Sequence, residues 1–138
     1  MAQKPEAVYR NSVHKHLNKS HVYYAPMGGS YVAGIPDMYY EGSLGCLWVE
    51  WKNFQALPYT IDLTKLSSRS KLSALQQQWL TRAHKHSVKT AVICGSPLGG
   101  VIYEGLNWQH PLTQDEFLAK SLPRKEIALW LTNQVSDE

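Results

Sequence analysis

A chain of 138 residues has room for one domain with a modest core. Its 43% hydrophobic content excludes wholesale disorder, and no apolar run approaches the length a membrane-spanning helix needs. Fourteen Lys and Arg against eleven Asp and Glu leave a formal charge of +3, a mild basicity that permits a polyanionic partner without demanding one.

Pro5 suits the first turn of a helix, Glu6 suits its dipole, and Tyr9, Val13 and Leu17 recur at spacing four, so the first element is expected over Pro5 to Leu17. Glu6 lies on the inward edge of this helix. It reads either as a helix-start acid or as a carboxylate turned toward the acids further on. His14, His16 and His21 have no cysteine partners and read as surface or phosphate-contacting residues rather than as a metal site. A strand over His21 to Ala25 follows, closed by Pro26 and the flexible turn Met27-Gly28-Gly29-Ser30. Tyr23, Tyr24, Tyr31, Tyr39 and Tyr40 make this region aromatic, as a packed sheet face would be.

Two strands joined by the turn Glu41-Gly42-Ser43-Leu44-Gly45 carry the strongest signal. Alternation along the second puts Leu47, Val49 and Trp51 on one face and Trp48, Glu50 and Lys52 on the other. Folding about Ser43 and Leu44 sets Asp37 opposite Glu50. Adjacent carboxylates raise each other's pKa, and a divalent cation with hard oxygen ligands removes the conflict. With Lys52 beside them as a point charge, they form a set suited to phosphodiester cleavage. Each fragment alone also has an ordinary reading, since Pro-Asp is a common turn and Glu-x-Lys a common exposed pair.

From Asn53 to about Leu72 no regular pattern holds, and a long loop is expected. Lys65, Arg69 and Lys71 among hydroxyl residues resemble chemistry that contacts a DNA backbone; a solvated loop is the plainer alternative. Ser73 and Gln76 form a capping box opening a helix over Ala74 to about His86, with Leu75, Trp79, Leu80 and Ala83 inward. A buried strand over Lys89 to Cys94 and a short one over Val101 to Tyr103 follow. A second capped helix runs from Thr113 to about Leu122, and a last helix after Pro123 packs through Ile127, Leu131 and Trp130. Cys46 and Cys94 both fall in strand-like runs, so buried free thiols are expected, and no C-x-x-C pattern suggests zinc. With no signal-peptide pattern in view, the expected location is the cytoplasm.

The order helix, three strands, helix, strand reads as an α/β sandwich around a mixed sheet. Glu6, Gly34-Ile35-Pro36-Asp37, Glu50-Trp51-Lys52 and Ser73-Ala74-Leu75-Gln76, in that order on those elements, resemble the PD-(D/E)XK nucleases. Within them the chain is similar to the VRR-NUC branch, which includes small stand-alone bacteriophage proteins. The match covers roughly Glu6 to Ser96. The resemblance implies a restriction-endonuclease-like core, α-β-β-β-α-β, over about residues 5–104 of a single domain, extended by C-terminal helices over 105–138. It implies Asp37 and Glu50 as ligands of Mg²⁺ or Mn²⁺ with the Trp51 carbonyl assisting, Lys52 positioning or activating water, and Gln76 supporting the site. Glu6 would complete the acidic cluster. The implied activity is metal-dependent cleavage of structured or branched DNA by a Holliday-junction-resolvase-like homodimer in a bacterial or phage-infected cell. The alternatives are a non-catalytic DNA-binding protein on the same fold, a general or flap DNA nuclease, and a restriction-type enzyme.

Overall fold

The computed structural model describes residues 4–27, 32–65 and 71–138. Gly28, Gly29, Ser30, Tyr31 and Arg69, singled out above, lie outside them. The elements run α1 (Pro5–His14), β1 (Tyr23–Pro26), β2 (Met38–Gly42), β3 (Gly45–Asn53), β4 (Thr60–Ile61), α2 (Ala74–Lys85), β5 (Thr90–Ser96) and β6 (Gly99–Glu104). A single 3₁₀ turn (Asn107–Gln109), β7 (Leu112–Thr113), α3 (Gln114–Lys120) and α4 (Arg124–Val135) complete the chain. Five strands form a mixed sheet in the order β1-β2-β3-β5-β6, with β3 and β5 parallel and the other pairs antiparallel.

The β2–β3 hairpin turns at Ser43-Leu44, with Gly42 paired to Gly45 and Met38 to Val49. Gly45 has φ +139°, a conformation that L side chains rarely adopt. After β3 the chain crosses over through α2 to β5, the connection that a parallel pair requires. β5 is buried along its whole length, which explains its unbroken apolar run.

Alternation along the strands divides the interior into two cores. Leu47, Val49, Trp51, Ala91 and Ile93 pack under α1 and α4, with Tyr9, Val13, Ile127 and Leu131. Val92, Cys94, Val101 and Tyr103 pack on the opposite face with Leu80, Trp108 and Phe117. The C-terminal helix α4 therefore covers the sheet beside α1, through Ile127, Ala128, Leu131 and Val135.

Four expectations are corrected. Helix α1 ends at His14 because the next turn tightens, with His16 N–H donating to Val13 O and Leu17 N–H to His14 O; Leu17 is still buried. The stretch after Asn53 is not a bare loop. Phe54, Ile61, Leu63 and Leu72 enter the second core, and β4 pairs with β7 about fifty residues later, a contact no local pattern can announce. Leu75 is 51% exposed rather than part of the inward stripe, while its backbone carbonyl lies against Gly34. Cys94 is buried as expected, but Cys46 is exposed at the start of β3; both thiols are free.

Candidate active site

The hairpin register delivers Asp37 to Glu50. Asp37 sits just before β2, and its N–H donates to Glu50 Oε1 at 3.2 Å. Its own Oδ2 accepts the Trp51 N–H at 2.9 Å. Glu50 and Lys52 share the face that Trp51 avoids, and Lys52 Nζ lies 3.4 Å from Glu50 Oε2. Helix α2 adds the fourth group. Gln76 Nε2 donates to Glu50 Oε2 at 3.0 Å, and Gln76 Oε1 accepts from Lys52 Nζ at 3.3 Å.

The same Gln76 oxygen accepts the Ser73 N–H at 2.9 Å, while Ser73 Oγ accepts the Gln76 N–H at 3.1 Å. The capping box and the bond to Glu50 are thus one arrangement, which aims the first turn of α2 at the carboxylates. Gly34 sets the other half of the approach. It has φ +80°, and a Cβ there would collide with the carbonyl of Leu75, so only glycine lets the Asp37 segment lie against that turn.

Glu50 is only 3% exposed. Burial, then the charge of Asp37, pushes its carboxyl up to about 8, with Lys52 pulling the other way. Two carboxylates held side by side in a largely dry site suit a hard divalent cation, which offsets both effects. Among the described residues no three His, Cys, Asp or Glu converge on one point, so backbone carbonyl, water or substrate oxygens would complete the shell. Mg²⁺ is commonly bound in this way, through one or two carboxylates.

Behind the site, Trp51 is fully buried, and its indole N–H donates to Tyr40 Oη at 3.0 Å. Tyr40 Oη lies 2.7 Å from His14 Nε2. Tyr40 Oη thus bridges Trp51 and His14, and the direction of its bond to His14 follows the His14 tautomer. Burial, helped by the charge of Arg10, lowers His14 to about 4 and keeps it neutral. His14 is therefore a core residue rather than a surface one. His16 is exposed, and His21 lies 3.6 Å from Glu138.

Asp37, Glu50, Lys52 and Gln76 come together as expected. Glu6 is half-buried in the first turn of α1 and does not join Asp37 and Glu50 in a three-carboxylate cluster. Lys65 is exposed and Lys71 half-buried, on either side of the stretch that holds Arg69. Of the aromatics, Tyr24 and Tyr40 pack toward the α1 face. Tyr39, Trp48 and Trp79 meet in series at tilted angles on the Glu50 face, at 5.0 and 5.4 Å between ring centroids.

No protein-family model matches the chain, and no curated protein matches it in sequence. Among solved structures the fold is similar to that of Hjc, a Holliday junction resolvase from the archaeal hyperthermophile Archaeoglobus fulgidus. The TM-score is 0.57 at 16% identity, over 91% of this chain and 96% of that one. The likeness is one of fold: a mixed α/β architecture around a five-stranded sheet.

Proposed function

We propose that the chain is a metal-dependent endonuclease hydrolysing phosphodiester bonds in branched DNA, in the manner of a Holliday junction resolvase. The observation that carries this reading is the adjacency of Asp37 and Glu50, bonded through the Asp37 N–H and flanked by Lys52 and Gln76. The resolvase-like fold adds support for the class of substrate.

Asp37, Glu50 and the Trp51 carbonyl would hold Mg²⁺ or Mn²⁺, with Glu6 reaching the cluster through water. The cation supplies polarisation of the scissile phosphate and a lowered pKa for water. Glu50 would hold the cation as the ionised carboxylate. Lys52, fixed between Glu50 and Gln76, presents its ammonium to the attacking water or to a non-bridging phosphate oxygen. Gln76 holds the carboxylate and the ammonium in register. Lys65, Arg69 and Lys71 would contact the DNA backbone, and a two-fold homodimer would present two sites to two strands of a junction. The order of the motifs along the chain supports a PD-(D/E)XK nuclease of the VRR-NUC type.

The test is cleavage of a synthetic four-way junction, a flap, a linear duplex and single strands in Mg²⁺, Mn²⁺ or EDTA. Metal-dependent cutting of the junction is expected, falling on the order of 10²–10⁴-fold in Lys52→Ala and further in Asp37→Ala. An Asp37→Ala protein as active as the native one would end the assignment. Tight junction binding with no cutting in any metal would leave a DNA-binding protein on a nuclease fold.

A further inference from the structure

A groove of about 700 Å³ runs along the exposed flank of α2. Gln78, Thr81, Arg82 and Lys85 line it from the helix, with Thr64 and Gln109 among the residues of its remaining wall. It is separate from the carboxylate cluster, none of whose residues lines it.

The charge of this region is one-sided. Arg82 and Lys85 line the groove together with His86, and among the described residues no Asp or Glu lines it. Among the described residues no carboxylate pairs with Arg82 or Lys85. The Arg82 guanidinium is instead held 5.1 Å over the Trp79 ring, which orients it without neutralising it. The wall is also built rather than loose, since Gln77 Nε2 donates to the carbonyls of Leu72 at 3.0 Å and Thr64 at 3.4 Å.

Helix geometry gives the groove a fixed relation to the site. Gln76 meets Glu50 in the first turn, while Arg82 and Lys85 lie six and nine residues further on. At 1.5 Å per residue that is roughly 9 and 14 Å along the axis. Duplex DNA advances about 3.4 Å per nucleotide, so this span corresponds to about three to four nucleotides.

We infer that this groove seats the sugar–phosphate backbone of a duplex DNA arm, about three to four nucleotides from the bond held at the carboxylate site. The identity of the polyanion rests on the nuclease reading above; the groove, its charge and its spacing do not.

Binding is measured in EDTA, so that no cleavage is required, by anisotropy of a labelled four-way junction and a linear duplex across a salt series. The groove variant is Arg82→Gln/Lys85→Gln. The control, Lys120→Gln/Lys125→Gln, removes the same charge from exposed positions on α3 and α4. The groove variant should bind on the order of tenfold more weakly near 0.1 M salt, with the log–log salt slope shallower by about 1.8. The control should keep the native slope. Gln78→Lys, on the groove rim, should tighten binding and steepen the slope by about 0.9, a gain that poor folding cannot imitate. Equal losses in both double variants, or no change of slope in any, overturn the inference, as does a native protein that binds neither DNA. Groove-dependent binding without cleavage in Mg²⁺ or Mn²⁺ removes the nuclease reading and leaves the groove. Native cleavage with groove variants that bind unchanged does the reverse.

Discussion

Gln76 belongs to two structures at once, and its two atoms divide the work. Its oxygen accepts from Ser73 N–H and Lys52 Nζ, while its nitrogen donates to Glu50 Oε2. Gln76→Ala should lose both, at about 1 kcal/mol of stability for the cap and a clear fall in cleavage. Gln76→Glu keeps the acceptor for Ser73 and Lys52 but turns an oxygen on Glu50 where a donor stood. It should melt close to the native protein yet cleave at least tenfold more slowly, the loss expected of a displaced acid–base partner. Thermal melts beside cleavage rates separate the two roles, and native-like cleavage by Gln76→Glu would reduce Gln76 to a helix cap. The capping box was legible in the spacing Ser-x-x-Gln; the bond to Glu50 was not, because it depends on where α2 docks. His14 shows the same limit more sharply. Its burial comes from Tyr24, Tyr40 and Trp51, on strands that no pattern within α1 can reveal.

The elements that local chemistry marks most strongly are the ones the sequence made readable. The β2–β3 register followed from one glycine-bearing turn, and Asp37 met Glu50 because of it. β4 and β7 were missed because each is two residues long and exists only as the partner of the other. Helix α2 ends at Lys85 with His86 as its cap, in keeping with an expected end near His86. It closes in a Schellman motif, with Val88 N–H donating to Ala83 O at 2.8 Å and Ser87 N–H to His84 O at 3.0 Å. Ser87, at φ 62°, stands where glycine is usual, so no glycine announced the stop. Ser87→Gly should stabilise the protein by up to about 1 kcal/mol, read as a higher urea midpoint at unchanged m. Gly34→Ala should act the other way. It meets both an unfavourable φ and the Leu75 carbonyl, so a loss of about 2 kcal/mol or more is expected, together with a fall in cleavage as Asp37 and Gln76 are pushed apart. A Gly34→Ala protein that melts and cuts like the native one would show that the Asp37 segment does not depend on that approach.

At the scale of the whole molecule, two buried groups tie stability to pH with opposite signs. Glu50 is raised from 4.5 to about 8, so between those values the folded chain holds more protons than the unfolded one and stability falls as pH rises. His14 is lowered from 6.5 to about 4; between those values the unfolded chain holds more protons and stability rises with pH. The two slopes oppose each other below 6.5, and above it only the Glu50 slope remains of the pair. The melting temperature of the protein in EDTA should therefore decline from pH 6.5 to 8, and Glu50→Gln should flatten that decline. His14→Phe should leave this window alone and change only the acid side. Mg²⁺ should reverse the trend, because a cation held by Asp37 and Glu50 requires the ionised carboxylate and so protects more strongly as pH rises. Melts across this window, with and without Mg²⁺, test the site independently of any DNA substrate. A native decline that Glu50→Gln preserves would place its origin elsewhere. Mg²⁺ protection that does not grow with pH, or that survives in Asp37→Asn, would mean that the cation binds somewhere other than the carboxylate pair.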